Sequence, residues 1–341
     1  METPRYVQVD DYEPVAKANL PVDVYGFYAG GAGDERTLEE NRLAFDRWVL
    51  RPRVLRASAT PDTTTEILGT RVASPVLVAP WAYQWMAHAD GERATARGVA
   101  RAGTIFVVSS TAVEDLEGIS AASDGPKWWQ LYLFAEQKLS ADMLHRVVDA
   151  GYGAICWTVD LPVVGLRHRD ARSGFVMPLG PNIGDFDFEP NLTWDQLDFI
   201  REHASGLPVL VKGILRGDDA ALACERGVDG IVVSNHGGRQ LDGCIASLDA
   251  LPEVVETVGD RAVVLMDGGI RRGTDVLKAI ALGAQAVLVG RPIAWGLAAE
   301  GEEGVASVLE ILRAEVENAM ALAGCRVVSD IERDLVAPAP A

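Results

Sequence analysis

Cysteine is scarce in this sequence: four of the 341 residues are cysteines, Cys156, Cys224, Cys244 and Cys325. They lie far apart and form no C-x-x-C pair, which argues against a zinc site and against a disulfide framework. We therefore expect reduced thiols and no bound metal. Cys244 lies next to the most informative motif of the chain and could be reactive, but a structural role is the simpler interpretation.

Basic runs and long apolar runs are also lacking. The chain has 31 Lys and Arg against 49 Asp and Glu, a formal net charge of −18, so binding to a phosphate backbone would work against the protein's own field. No window reaches about 18 apolar residues, the length that spans a bilayer, and the first residues lack the apolar core of a signal peptide. These absences argue against nucleic-acid and membrane partners and predict a cytoplasmic protein.

What the sequence does contain is a repeat of short apolar runs, each followed by a helix-like stretch. Hydrophobic residues make up 48% of the chain, enough for a globular core. Runs that are apolar throughout are typical of strands covered on both faces in a parallel sheet. Eight such runs predict an α/β fold, a (β/α)8 TIM barrel: 75–78, 105–108, 128–132, 154–157, 209–211, 231–233, 262–265 and 286–289.

The two ends of the chain lack this repeat. Residues 1–73 contain two helix-like segments, 11–16 and 22–28, so we expect an N-terminal helical extension that packs on a barrel formed by residues 74–326. Residues 327–341 end in Pro and Ala, which predicts a frayed C-terminal tail.

One interval in the repeat is about twice as long as the others. The predicted ends of the fourth and fifth strands, Asp160 and Lys212, are 52 positions apart, whereas the other neighbouring ends are 23 to 31 apart. The extra residues predict an insertion with a lid at about 174–197, over the carboxyl face of the barrel. A surface loop without a function is the alternative.

The segment Ser234–Gly243, with the sequence SNHGGRQLDG, follows the apolar run that ends at Val233. It places His236 and Arg239 three residues apart, beside two glycines, at the carboxyl end of a predicted strand. An imidazole can accept a proton near neutral pH, and a guanidinium group can hold an anion through two hydrogen bonds. The segment predicts a catalytic base beside an anion-binding group, and a polar turn with a capping histidine is the alternative.

Residues that follow the strands of a (β/α)8 barrel converge on one face, however far apart they are in the sequence. The segments after the seventh and eighth strands, Asp267–Arg271 and Gly290–Pro292, combine glycines with arginines, and this is where the fold usually binds phosphate. We expect a phosphate site there, with ordinary tight turns as the alternative.

The strand-end motifs occur together and in order in one known family. The chain resembles the FMN-dependent α-hydroxy-acid oxidase and dehydrogenase family, which includes glycolate oxidase, lactate oxidase and mandelate dehydrogenase, from Tyr25 to Arg326. The motifs that carry the resemblance are 79–82 (APWA), 130–132 (QLY), 158–160 (TVD), 210–213 (LVKG), 234–243, 267–273 (DGGIRRG) and 290–292 (GRP).

The resemblance implies FMN as the cofactor. Arg271, Gly290 and Arg291 would hold its phosphate, and Lys212 would lie beside the flavin N1 and O2, where a fixed cation favours reduction. A buried ion-pair lysine is the alternative for Lys212. The remaining residues of the implied FMN site are Pro80, Trp81, Ala82, Ser109, Gln130, Thr158, Ser234, Asp267 and Gly269.

The resemblance also implies the oxidation of a small-molecule 2-hydroxy acid. His236 would be the base, Asp160 would hydrogen-bond to its imidazole, and Tyr132 would hydrogen-bond to the substrate oxygen. Arg239 and Arg167 would bind the substrate carboxylate. The residues do not decide whether the Cα hydrogen leaves as a proton or as a hydride.

Three departures from the family pattern concern the substrate. Phe27 stands where the family commonly has a tyrosine that binds the substrate carboxylate, and Tyr25 or Tyr28 could compensate. Thr111 stands where glycolate oxidase-like members have a tryptophan, and the lid is shorter than usual. Both Phe27 and Thr111 are therefore substrate-binding candidates, and the more open, more apolar pocket predicts an aromatic or larger substrate, such as mandelate.

The electron acceptor is less clearly marked. Ala82, where some dehydrogenase and monooxygenase members have glycine, favours an oxidase that passes electrons to O2 and forms H2O2. The alternatives are a 2-hydroxy-acid dehydrogenase with another acceptor, a phosphate-binding barrel isomerase or lyase without redox chemistry, and a flavin-binding scaffold without turnover. The family resemblance also suggests a homotetramer.

Overall fold

The computed structural model describes residues 5–56, 59–177, 182 and 187–340. Eight parallel strands close into a barrel, so the predicted (β/α)8 fold is confirmed. Each strand pairs with the next along the chain, and the last pairs with the first. The strands are β1 (Val76–Val78), β2 (Phe106–Ser109), β3 (Lys127–Leu131), β4 (Ile155–Thr158), β5 (Val209–Ile214), β6 (Gly230–Val233), β7 (Val263–Asp267) and β8 (Ala286–Val289).

The uninterrupted apolar runs are explained by two cores that share the strands. In β1, Leu77 belongs to a cluster with members from all eight strands, which is the barrel interior. Its neighbours Val76 and Val78 belong instead to the cluster that includes the surrounding helices. Because side chains alternate between the faces of a strand, a strand covered on both faces needs apolar residues at every position.

Helices surround the barrel and precede it. Those predicted from the sequence are present, within a few residues at each end. The α-helices of the described residues are α1 (Tyr12–Asn19), α2 (Val22–Ala29), α3 (Arg36–Leu43), α4 (Gly91–Ala102), α5 (Leu116–Ala121), α6 (Gln137–Asp149), α7 (His168–Ser173), α8 (Gln196–His203), α9 (Gly217–Glu225), α10 (Ser247–Val258), α11 (Gly273–Ala281) and α12 (Arg291–Ala323), the last interrupted at Glu300 and Gly301. None of them is long and apolar enough to cross a membrane.

The N-terminal residues bind to the barrel through a pair of buried amides. Asn41 of α3 donates from Nδ2 to Oδ1 of Asn235 at 2.8 Å, and Asn235 returns the same bond at 2.8 Å. The Oδ1 atom of Asn41 also accepts the backbone N–H of Ser247, at the start of α10. Helix α3 is thereby attached to the loop that follows β6.

The described C-terminal residues, up to 340, pack back on the protein, so the prediction of a frayed tail is wrong for them. Val336–Pro338 pairs with Trp48–Leu50 as a two-stranded antiparallel sheet. The pairing satisfies backbone groups that Pro and Ala composition suggested would remain in solvent. Local composition could not reveal it, because the partner strand lies far away in the sequence.

The insertion between β4 and β5 contains α7 and α8. Residues 178–181 and 183–186 of the predicted lid lie outside the described residues. Asn182 between them is buried and donates from Nδ2 to the carbonyl oxygens of Ala112 and Glu114, at 3.0 and 2.7 Å. Further along, residues 187–189 pair with the segment that follows β3. The insertion is thus bonded to the loops after β2 and β3, at the carboxyl end of the barrel.

Two glycines with the same φ of +83° allow the contact between the extension and the barrel to be tested. A Cβ atom on Gly269 would overlap the carbonyl of Asn41, whereas one on Gly243 would meet nothing within 4 Å. We expect Gly243→Ala to cost about 1 kcal/mol from backbone strain alone. Gly269→Ala should cost about 2–4 kcal/mol, because overpacking adds to the strain. Thermal unfolding of the two variants checks this, and equal losses of stability would contradict it.

Candidate active site

The loop after β6 has a backbone shape that few sequences can adopt. His236, Gly237 and Gly238 all have positive φ, at 59°, 62° and 75°. For histidine this conformation is uncommon and strained, and such strain is concentrated at functional sites. The side chain of Asn235 holds the turn by accepting the N–H of Gly238 at 3.0 Å. The loop therefore presents the imidazole of His236 to the cavity at the carboxyl end of the barrel.

His236 is paired with a buried carboxylate. Its Nδ1 lies 2.9 Å from Oδ1 of Asp160, which follows β4. Gly213 in β5 makes room for this carboxylate, since a Cβ atom there would lie 2.6 Å from the Cβ of Asp160. Burial lowers the pKa of His236 below its usual value, so the ring is neutral at pH 7 and donates Nδ1–H to Asp160. The other ring nitrogen, Nε2, is the one that can accept a proton.

Lys212 is a buried cation next to this pair. Its Nζ donates to Oγ of Ser234 at 2.9 Å and lies 3.3 Å from Oδ2 of Asp267. Burial acts against its charge, but the carboxylates of Asp267 and Asp160 outweigh burial and raise the pKa of Lys212. The ammonium group is therefore a permanent positive charge in the cavity wall, which agrees with both the flavin role and the ion-pair alternative.

Two arginines lie against the ring of Phe27. The guanidinium carbons of Arg239 and Arg167 lie 4.8 and 5.7 Å from its centroid, within the range of a cation–π interaction. Arg239 also donates to the backbone carbonyls of Phe27 and Gly30, at 2.6 and 2.9 Å. Burial, together with the neighbouring arginines, lowers the pKa of Arg239. A buried, destabilised cation of this kind attracts an anionic ligand.

The tyrosines beside Phe27 are bonded elsewhere. Tyr25 donates its hydroxyl to Glu13 at 2.9 Å, and Tyr28 donates its hydroxyl to the carbonyl of Tyr83 at 2.6 Å. Of the two, Tyr28 lines the cavity. In this arrangement neither hydroxyl hydrogen replaces the one that a tyrosine at position 27 would supply.

A second pair of buried arginines follows β7 and β8. Burial and the charge of Arg42 lower the pKa of Arg271 to about 10, and burial and the charge of Arg271 lower the pKa of Arg291 to about 9. A guanidinium group does not lose its proton in a protein, so these shifts express the cost of burying like charges together. A phosphate group between them would remove that cost, in agreement with the phosphate site expected from the sequence.

The lining of the same cavity contains buried polar atoms that no described residue satisfies. They include Nε2 of Gln130, Oγ1 of Thr158 and Oδ1 of Asp267. A buried polar group without a partner is costly, so such atoms indicate a polar ligand. The edge of a flavin ring, which carries both hydrogen-bond donors and acceptors, fits them. By contrast, Thr111 is already bonded, since its hydroxyl lies 2.8 Å from that of Ser109.

The structure brings the residues selected from the sequence to one place. All of them line a single cavity except Asp160 and Ser234, which lie directly behind it and contact His236 and Lys212. Those that line it are Phe27, Pro80, Trp81, Ala82, Ser109, Thr111, Gln130, Tyr132, Thr158, Arg167, Lys212, His236, Arg239, Asp267, Gly269, Arg271, Gly290 and Arg291.

Sequence reasoning missed several residues of the cavity. Tyr83 could have been suspected, since it directly follows the motif at 79–82, and Tyr28, which the sequence offers as a replacement for the hydroxyl absent at Phe27, also lines the cavity. Met177 and Phe188 lie in the lid predicted at about 174–197, but nothing in the local pattern indicated that they and Leu161 and Val164 are the side chains that reach the cavity.

The barrel, the two arginine pairs and the imidazole–carboxylate pair define a class of protein: a (β/α)8-barrel enzyme with a candidate base beside a cavity that suits a phosphorylated cofactor. The comparison with family models gives the particular family. Residues 16–338 match the FMN-dependent dehydrogenase family, and the chain belongs to it. Its cofactor is FMN, which rules against the isomerase or lyase alternative.

Named relatives are similar along almost their whole length. The chain is 46% identical to an L-lactate oxidase of Nostoc sp., with 96% of each chain covered, and 46% identical to 2-hydroxyacid oxidase 1 of Mus musculus, with 99% and 98% covered. A crystal structure of mandelate oxidase with benzoyl-formic acid has 46% identity and a TM-score of 0.92, with 96% and 97% covered. The chain is thus an FMN-dependent 2-hydroxy-acid oxidase by family.

The arginine after β7 offers a test of the phosphate site. Arg271→Ala should weaken FMN binding about 10- to 100-fold, because a charge-assisted bond is lost. The neighbouring Arg272→Ala is the matched control, since that side chain bonds to Gln8 and Asp10 and should leave the affinity nearly unchanged. Titration of the apoprotein with FMN, followed by quenching of flavin fluorescence, measures both. Equal affinities in the two variants would place the phosphate elsewhere.

Proposed function

We propose that this protein oxidises an (S)-2-hydroxy acid with a large or aromatic side chain, such as mandelate, to the 2-oxo acid, and passes the electrons to O2 to form H2O2. One observation carries the proposal. His236, Lys212, Arg167 and Arg239 line one cavity, and Asp160 is bonded to His236 directly behind it. These groups correspond to the three demands of the reaction, which are removal of a proton, acceptance of electrons and retention of a carboxylate.

Substrate binding begins at the two arginines. Arg239 and Arg167 are buried against Phe27, so a carboxylate placed between them relieves the repulsion of their charges. Arg239 is held in place by two backbone carbonyls, which limits the entropy lost when the substrate binds. The hydroxyl-bearing carbon would then lie toward the imidazole.

His236 accepts the hydroxyl proton at Nε2. Its Nδ1–H is bonded to Asp160, whose negative charge stabilises the imidazolium that forms. Tyr132 lines the same cavity and donates a hydrogen bond to the substrate oxygen as charge develops there. When bound, FMN accepts the two electrons that leave with the Cα hydrogen. Lys212 supplies a fixed positive charge that favours this acceptance.

The proposal of a large substrate and the proposal of O2 as the electron acceptor rest on separate observations. Leu161, Val164, Met177 and Phe188 add apolar surface to the cavity, and a solved mandelate oxidase is among the similar structures. The relatives named above are oxidases, and Ala82 agrees with O2 as the acceptor. The cytoplasmic location and the homotetramer stay predictions; light scattering on the purified protein tests the second.

The proposal is tested with a panel of 2-hydroxy acids. We expect (S)-mandelate to bleach the flavin of the anaerobic protein and to exceed glycolate in kcat/KM by at least about tenfold, because burial of a phenyl group contributes to binding. In air, one H2O2 should form for each substrate molecule oxidised. A comparable kcat/KM for glycolate and mandelate would contradict the substrate assignment. Bleaching without H2O2 in air would point to a dehydrogenase, and no bleaching at all to an inactive scaffold.

The assignment of the base has its own test. His236→Gln should slow anaerobic flavin reduction by about 10²- to 10⁴-fold, since general-base catalysis is lost. FMN content should be preserved. His145→Gln on the exposed face of α6 is the control and should reduce its flavin at the rate of the unmodified protein. Stopped-flow absorbance provides the rates, and rapid reduction in His236→Gln would exclude this residue as the base.

A further inference from the structure

A short strap joins the insertion to the barrel next to Tyr132. We use the name strap for residues 187–189. The N–H of Ala135 donates to the carbonyl of Asp187 at 2.9 Å, and the N–H of Glu189 donates to the carbonyl of Leu133 at 2.8 Å. Between these bonds, Phe134 and Phe188 form an antiparallel bridge. The strap is therefore fixed by backbone bonds to the segment that follows β3.

The strap places the ring of Phe188 at the cavity. This ring lines the cavity and is half-buried. Its centroid lies 5.0 Å from that of Tyr132, with the planes inclined at 56°, and 5.9 Å from that of Phe134, with the planes nearly parallel at 16°. Aromatic pairs favour these separations and both arrangements. Phe134 is almost fully buried and does not line the cavity, so Phe188 is the ring of this pair that borders the cavity.

The residues that the described part of the insertion contributes to the cavity are apolar, with one exception. Arg167 is the charged group, and it contacts Phe27. The other cavity residues of the described insertion are apolar, namely Leu161, Val164, Met177 and Phe188. Of these, Phe188 has the largest planar surface, and it is the one held by backbone bonds close to Tyr132.

We propose that Phe188 determines substrate specificity, because its ring forms the wall against which the side chain of the 2-hydroxy acid packs. This inference rests on the proposed function and deepens it. Tyr132 would hydrogen-bond to the substrate oxygen, so a ring that contacts Tyr132 lies within reach of the group attached to the same carbon. A phenyl group gains a contact with this wall, whereas the methyl group of lactate is too short to fill the same space.

The ring can be changed without removing the strap. The bonds that fix residues 187–189 join backbone atoms, so they survive substitution of the side chain. Phe188→Leu keeps an apolar residue but removes the planar surface, and Phe188→Ala removes the wall. Phe134→Leu is the matched control, since that ring packs on Phe188 but does not line the cavity.

The experiment compares (S)-mandelate with L-lactate in the flavin-loaded protein and its variants. Phe188→Leu should lower kcat/KM for mandelate about tenfold, mainly through KM, and change that for lactate by less than about twofold. Phe188→Ala should shift the preference in the same direction, with a larger loss of kcat/KM for mandelate. Phe134→Leu should keep the ratio of the two substrates found in the unmodified protein. The affinity for benzoylformate, measured by its perturbation of the flavin spectrum, should fall in parallel with the affinity for mandelate.

Two results would overturn the inference. An equal loss for both substrates in Phe188→Leu would mean that the ring only supports Tyr132. The second result is a change in the mandelate-to-lactate ratio of kcat/KM that is as large in Phe134→Leu as in Phe188→Leu. It would mean that the packing of the strap determines specificity, and not the surface of the Phe188 ring. A different result would reject the proposed function itself, namely that no 2-hydroxy acid bleaches the flavin of the unmodified protein. Bleaching by both substrates, with an unchanged ratio in the Phe188 variants, rejects this inference alone.

Discussion

The site depends on positive charge that is buried before any ligand arrives. Four arginines, Arg167, Arg239, Arg271 and Arg291, line one cavity, and burial lowers the pKa of each. In a protein interior, charges of one sign interact far more strongly than in water, and hydrogen bonds to backbone carbonyls hold Arg239 and Arg291 in place. The cavity therefore favours two separate anionic groups, which a phosphorylated flavin and a 2-hydroxy acid would supply together.

The acidic groups are distributed unequally, and this distribution sets the chemistry. Asp160 and Asp267 lie beside His236 and Lys212, at 2.9 and 3.3 Å, whereas Arg167 and Arg271 have longer ion pairs, at 3.8 Å to Asp170 and 3.5 Å to Asp10. Lys212 consequently remains charged, while burial keeps His236 neutral. A base and a cation can therefore coexist within one small volume. Without Asp160, the imidazolium would form beside Lys212 and Arg239 with no compensating charge.

The sequence could predict which candidate residues lie together, because the fold converts strand order into spatial proximity. Once the eight strand ends were recognised, residues as distant as Ser109 and Arg291 could be assigned to one face. The strap and the ring of Phe188 could not be found in this way, because their position depends on pairing between residues 187–189 and 133–135. The antiparallel pair at the C-terminus escaped prediction for the same reason. Pairing between distant short segments leaves no periodic pattern in either one.

The amide pair between Asn41 and Asn235 has a consequence for how the protein matures. The loop that carries His236 receives its support from a residue almost two hundred positions earlier, so neither half of the chain contains a complete site. During synthesis on the ribosome, the early helices must wait for β6 and the loop after it to emerge. The cavity that contains His236 is therefore complete only after most of the polypeptide has been made, and a chain that stops before β6 lacks the candidate base.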